Sequence, residues 1–421
     1  MCTDRRDFLR LSGTALGVLG LGGPSSAFAG AVQVPDAIRQ AKPLPGKAIP
    51  ITPQERKERI EKARKLMVEN RISAILLEPG TTMSYFTGVR WGTSERMFAL
   101  VIPAKGDLAW ICPKFEEERA RELIEPGSDI RTWEEDVAPG TVVAGIFKDR
   151  GIRTGRIGIE ERLRFFLYDG VKKAAPALEY LIADPITAGC RMIKSPAEIA
   201  LLQRANDLTI AAYRVAISTL KEGMTNTEFS GVLGAAFRAV GAQGGGAMIS
   251  FGKYTAFPHG SQQPQKLKEG DMVLMDGGCA VEGYQSDITR TFVYGKPSQR
   301  QKDVWEIEKK AQDAAFAAAV PGASCESVDA AARKVITDAG FGPDYKVRLI
   351  FLDVEKFLSL GESAIWGGSR ERAHRNRPVP GIHQSLHALR DVAAPLGILQ
   401  HTVTRLPDED RRCRAGGRSE D

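Results

Sequence analysis

The sequence predicts an α/β domain followed by an α+β domain, and three observations carry that expectation. Between residues 53 and 190, strand-like apolar runs alternate with helical ones, the pattern of a sheet covered by helices. From Ser195 onward, two capped helices precede a pair of β-branched runs that face each other across glycines. The chain has 421 residues, 43% hydrophobic and 26% charged, enough to bury two or three separate cores.

Taken in order, the first 30 residues read as a targeting segment. Arg5 and Arg6 precede Asp7, Phe8, Leu9 and Arg10, a mild apolar run follows from Leu11 to Gly23, and Ala27-Phe28-Ala29 closes it as a cleavage pattern. RRDFLR resembles a bacterial twin-arginine signal. An apolar run that short and glycine-rich is no stable membrane anchor. The expectation is an exported, periplasmic or extracellular bacterial protein. Residues 31–52 carry Pro35, Pro43, Pro45 and Pro50 and read as an extended linker.

Structure opens with Thr52 as N-cap, Pro53 at N1 and Glu55 at N3, then Ile60, Ala63 and Met67 at helical spacing. Strands are expected at Ala74–Leu77, Phe98–Ile102, Leu108–Cys112 and Arg156–Glu160, and helices at Phe115–Ile124 and Leu163–Ala175. The turn chemistry of residues 103–107 makes the second and third strands a hairpin. No catalytic constellation stands out in residues 53–190. Tyr85-Phe86-Thr87-Gly88 with Trp91 reads as core more readily than as a pocket.

Ser195-Pro-Ala-Glu198 and Thr225-Asn-Thr-Glu228 are capping boxes, predicting helices to about Lys221 and Gly241. A strand is expected at Met248–Phe251, and Pro258-His259-Gly260 follows it. Two further helices are expected at about Ser298–Ala319 and Glu326–Ala339, the latter stopped by Gly340 in the C′ position. Ahead of these two helices lies Met272 to Val293, which the rest of the chain is arranged around. Met275 and Asp276 end one apolar run, Gly277 and Gly278 are expected to loosen a reversal, and Asp287 opens the next run. An antiparallel pairing brings Asp276 and Asp287 to one end of a hairpin. Two close carboxylates repel unless a proton or cation lies between them, and such oxygen donors suit Mn, Co, Fe or Zn. The plainer reading is a pair of turn-flanking aspartates that solvate strand ends.

Composition narrows the partners. The net charge of +6 includes no block of like charges, which argues against nucleic acid or a membrane surface. Cys2, Cys112, Cys190, Cys279, Cys325 and Cys413 form no CxxC pair, so neither a disulfide framework nor a structural zinc site is expected.

With these residues in hand, the chain from about 52 to 346 resembles the pita-bread metallopeptidases, in the branch of Xaa-Pro aminopeptidases and prolidases. The resemblance rests on Arg191-Met-Ile-Lys-Ser-Pro-Ala-Glu198, Pro258-His259-Gly260, Met275-Asp276-Gly277-Gly278 and Ser286-Asp287-Ile288-Thr289-Arg290-Thr291. Tyr85-Phe86-Thr87-Gly88 and Ser94-Glu95-Arg96 are similar to the creatinase-like N-terminal domain of that branch. It implies domains at 53–190 and 191–346, a pita-bread catalytic fold, and hydrolysis of peptides with proline at the second position. It also implies two divalent metal ions held by two aspartates, one histidine and two glutamates. Asp276 and Asp287 match the aspartates, and His259 matches a histidine that contacts substrate. Whether the chain forms a homodimer is left open.

After Lys346 the resemblance stops. The family next shows H-x-x-G-H-G-x-G, then E-P-G, then R-x-E-D, and this chain has none of them. Arg outnumbers Lys by 25 to 21 up to residue 346 and by 11 to 1 afterwards. The expectation is that residues 347–421 are an out-of-frame translation; a divergent C-terminal domain is the other reading. His383 and His387 stand four apart but lack an intervening acid, and His374 and His401 lie in coil-like sequence. Two aspartates cannot close a two-metal site, so the chain as written is expected to be inactive and marginally stable. The rival readings are a metal-free creatinase-like hydrolase using His259 as acid–base, and a peptide-binding pseudoenzyme.

Overall fold

A computed structural model describes residues 35–341, apart from 126 and 321. The expected targeting segment, residues 31–34 and the tail with its histidines lie outside the described residues. The rest of the expected linker is not a free extended segment, since Asp36–Gln40 is helical and Ile38 and Leu44 pack against the second unit. No helix among the described residues is long and apolar enough to cross a membrane.

The first layered unit forms because several strands are apolar on both faces. Strands β1 (Ala74–Leu77), β2 (Ala99–Pro103) and β3 (Ala109–Pro113) are buried at every position, as a sheet covered on two sides requires. With β4 (Asp129–Trp133), β5 (Gly155–Ile159) and β6 (Leu178–Ile182) they make a six-stranded sheet ordered β4-β3-β2-β1-β5-β6. The expected hairpin is present, with Ala99 opposite Ile111 and Val101 opposite Ala109. β1, β5 and β6 run parallel, as do β3 and β4.

Helices α1 (Asp36–Gln40), α2 (Pro53–Glu69), α3 (Thr81–Thr87), α4 (Glu117–Leu123), α5 (Pro139–Asp149), α6 (Phe165–Ala174) and α7 (Asp184–Arg191) precede the second unit. One sheet face packs under α2, α3, α4 and α7 through Met67, Phe86, Ala120 and Ile186. The other packs under α5 and α6 through Phe147 and Val171. Phe86 is core and Trp91 stacks on Phe98 with centroids 4.0 Å apart, so the aromatic cluster is packing. On α2 the buried stripe is Arg59, Ala63 and Met67, with Ile60 only partly buried. An arginine thus takes the position expected of an apolar residue.

The second unit starts at α8 (Pro196–Ile217) and α9 (Asn226–Ala239). Both capping boxes close: Ser195 Oγ accepts from Glu198 N at 3.2 Å, and Thr225 Oγ1 from Glu228 N at 3.1 Å. α8 stops at Ile217, short of the expected Lys221. Strands β7 (Gly246–Phe251), β8 (Met272–Gly278) and β11 (Ile288–Val293) form an antiparallel sheet ordered β11-β8-β7. The short strands β9 (Ala280–Val281) and β10 (Tyr284–Gln285) lie between β8 and β11. One face of the larger sheet buries Ile249, Phe251, Val273, Met275, Ile288 and Phe292 against α8 and α9. Helices α10 (Gln299–Ala318) and α11 (Cys325–Asp338) pack on each other through Ala311, Ala315 and Val328. Gly340 follows α11 with φ +86°, the left-handed residue its position predicts.

Candidate functional site

The register of the second sheet decides where the two aspartates point. Side chains alternate along a strand, so cross-strand partners share a face. Asp276 pairs with Met248 on one side and Thr289 on the other. These three, with Ser250, Leu274 and Thr291, form the face turned away from α8 and α9. Asp287 directly precedes β11 and continues the alternation through Thr289 and Thr291. Asp276 and Asp287 therefore stand diagonally on one polar face. Thr289 Oγ1 donates to Asp276 Oδ1 at 2.6 Å, which fixes the carboxylate rotamer.

The reversal itself differs from the expected one. Gly277 and Gly278 do not loosen a turn; they are the last residues of β8. A Cβ at Gly277 would lie 2.3 Å from Gly246 O, and one at Gly278 would lie 2.3 Å from Ser286 O. Backbone approach demands glycine here, not turn formation. The chain turns further on, at Glu282 (φ 51°) and Gly283 (φ 85°), where β9 and β10 form a two-residue hairpin.

His259 is exposed, in the turn after the 3-10 segment Gly252–Ala256. Its neighbour Gly260 closes on Met248, since a Cβ there would come within 3.0 Å of Met248 Sδ. As Met248 is the cross-strand partner of Asp276, the His259 loop lies over the same face as the aspartates.

Sequence reasoning missed a buried polar junction behind this hairpin. Arg59 Nη2 donates to Glu55 Oε1 at 2.8 Å and to the Tyr284 hydroxyl at 3.1 Å. Tyr284 donates in turn to Glu198 Oε1 at 3.0 Å. The Arg59 guanidinium also lies 4.1 Å from the Tyr85 ring centre and donates to Tyr85 O at 2.9 Å. Arg59 and Glu198 are 6% and 2% exposed, so each charge depends on these partners. Burial opposes the Arg59 charge, but Glu198 and Tyr284 outweigh it and raise its pKa. Burial, reinforced by Glu198, pushes the Tyr284 phenol up to about 12, which keeps it a proton donor. The only sequence signal was an arginine on an otherwise apolar helical stripe.

Among the described residues, no group of three or more His, Cys, Asp or Glu side chains could hold a metal ion. The two carboxylates fit part of a hard-cation ligand set and do not close one.

Comparison with known proteins follows this division of the chain. The profile of the creatinase/prolidase N-terminal domain matches residues 59–193, and that of metallopeptidase family M24 matches residues 200–354. The second match runs a little past Lys346. An uncharacterised peptidase of Schizosaccharomyces pombe is 34% identical over 330 residues, covering 73% of this chain and 71% of its own. A Xaa-Pro dipeptidase of Pyrococcus furiosus is 30% identical over 292 residues, covering 69% and 79%. The crystal structure of a prolidase from Thermococcus sibiricus superposes with a TM-score of 0.63 at 28% identity, covering 69% of this chain and 80% of that one.

Proposed function

This chain belongs to metallopeptidase family M24, with the creatinase/prolidase N-terminal domain, and from that premise we propose that its fold is built to hydrolyse Xaa-Pro peptide bonds. The observation that carries the reading is the placement of Asp276 and Asp287 on one polar face beneath the His259 loop. In this reading the aspartates are two of the ligands of a divalent-metal site, Mn, Co, Fe or Zn, and His259 contacts the peptide. The substrate is a peptide with proline at its second position.

The ligand set decides how far this extends to the chain as written. Two carboxylates leave a cation largely hydrated, and Asp276 and Asp287 are the family-matching ligands present. We therefore read the chain as written as catalytically silent, with residues 347–421 out of frame. The incomplete set also favours a second reading, a peptide-binding pseudoenzyme. The leader supports export by the twin-arginine route.

The test is turnover of an Ala-Pro dipeptide with and without Mn²⁺. It compares the chain as written with one whose residues after Lys346 are read in the alternative frame. The frame-corrected protein should be active, and Asp276→Asn or Asp287→Asn in it should lower turnover by at least about 100-fold. Unchanged turnover in either variant would remove the metallopeptidase reading.

A further inference from the structure

Asp287 stands outside regular strand structure, yet both of its neighbours are tied to helix α8. Before it, Ser286 is fully buried. Ser286 Oγ lies 2.7 Å from Thr209 Oγ1, 2.9 Å from Cys279 N and 3.0 Å from Cys279 O. Each hydroxyl has one proton to give. One assignment uses every proton once. Thr209 donates to Ala205 O at 3.0 Å, Ser286 donates to Thr209, and the Cys279 amide donates to Ser286. After it, Ile288 O accepts from the Tyr213 hydroxyl at 3.0 Å. Thr209 and Tyr213 are one helical turn apart on α8, 0% and 1% exposed. They meet the hairpin on the same helix face.

The same face carries Glu198, which accepts from Tyr284 near the hairpin tip. α8 therefore touches the hairpin at three levels. Glu198 holds the tip, Thr209 holds Ser286, and Tyr213 holds Ile288.

We propose that Thr209 and Tyr213 are positioning residues for Asp287, fixing the backbone on either side of it so that its carboxylate stays on the polar face beside Asp276. Neither hydroxyl touches the carboxylate: Thr209 acts through the Ser286 side-chain hydroxyl, itself bonded to the Cys279 amide, and Tyr213 acts through the Ile288 carbonyl. Core packing alone requires only that positions 209 and 213 be filled, by valine and phenylalanine as well as by threonine and tyrosine. What the hydroxyls add is directional, one bond to each of the two residues that flank Asp287. This role rests on the reading of Asp287 as a functional carboxylate. That reading has its own test in the Asp287→Asn assay, whereas the grip is measurable with no metal and no substrate.

The experiment is hydrogen–deuterium exchange on the full chain, following amides 286–289, 280–285 and the distant reference segments 74–77 and 232–237. Thr209→Val and Tyr213→Phe keep the side-chain shape and remove one hydroxyl each. Each should speed exchange at 286–289 roughly tenfold, the equivalent of one buried hydrogen bond, and leave the reference segments unchanged. Thr209→Ser should restore the parent rate. Tyr284→Phe should open 280–285 and spare 286–289. Unchanged exchange at 286–289 in both hydroxyl variants would overturn the proposal. So would a uniform rise in every segment, or opening of 286–289 by Tyr284→Phe to the same degree. Should Thr209→Val fail to fold, Tyr213→Phe and Thr209→Ser decide the matter.

Discussion

Gly278 shows how much of the hairpin is set by a single residue. Its sequence neighbours suggest a flexible turn, but its missing Cβ is what lets Ser286 close to within bonding reach of Cys279. Gly278→Ala would force Ser286 O, a backbone atom, to retreat from 2.3 Å. Overpacking of this kind costs about 1–3 kcal/mol, and urea denaturation should show that loss; an unchanged midpoint would contradict the geometry. The antiparallel pairing that sets Asp276 opposite Thr289 was legible in sequence, because an apolar run and a β-branched run on either side of a glycine-containing reversal are conspicuous. Arg59 and Ser286 were not. A charged residue on a helix and a serine near a turn usually face water, and only the tertiary partners Glu198 and Thr209 reveal their burial.

Among the elements, locally encoded ones were read well. The boxes at Ser195 and Thr225 specify their own helix starts, because donor and acceptor lie three residues apart. Elements held by tertiary contact were missed. α5, with a Pro-Gly start and adjacent valines, has weak helix propensity; it forms because Val143, Ile146 and Phe147 cover the sheet. β4 exposes most of its residues partly and lacks an apolar run, and it is defined by pairing with β3. Helix α10 carries a pH prediction. Burial pushes the Glu308 carboxyl from the usual 4.5 up to about 7. The folded chain then holds this proton where the unfolded chain has lost it. Its contribution is full below about pH 4.5, falls as pH rises to about 7, and is level above that. The slope is at most about 1.4 kcal/mol per pH unit. Glu308→Gln should flatten that part of the stability–pH curve, and an unaltered slope would show that Glu308 is not the group responsible.

For the molecule as a whole, the alternation of strands and helices announced the first layered unit, and the family motifs marked the second. Their join was illegible, because it runs from Glu55 and Arg59 on α2 to Ser195, Glu198 and Tyr284, residues over a hundred positions apart. Ser195 Oγ, for example, donates to Glu55 Oε1 at 2.8 Å. Arg59→Ala would leave Glu198 buried without its cation and remove the contact to Tyr85. Breaking a buried pair from one side costs about 3–5 kcal/mol. Chemical denaturation should register that loss, and a cost below about 1 kcal/mol would place the join elsewhere.

We propose that the gene of this M24-family chain still encodes the remaining metal ligands beyond Lys346, out of frame. The measurement is the gene sequence across codon 346, translated in all three frames downstream. One frame should give H-x-x-G-H-G, then E-P-G, then R-x-E-D. If no frame gives them, residues 347–421 are the native continuation, and the pseudoenzyme reading replaces the peptidase.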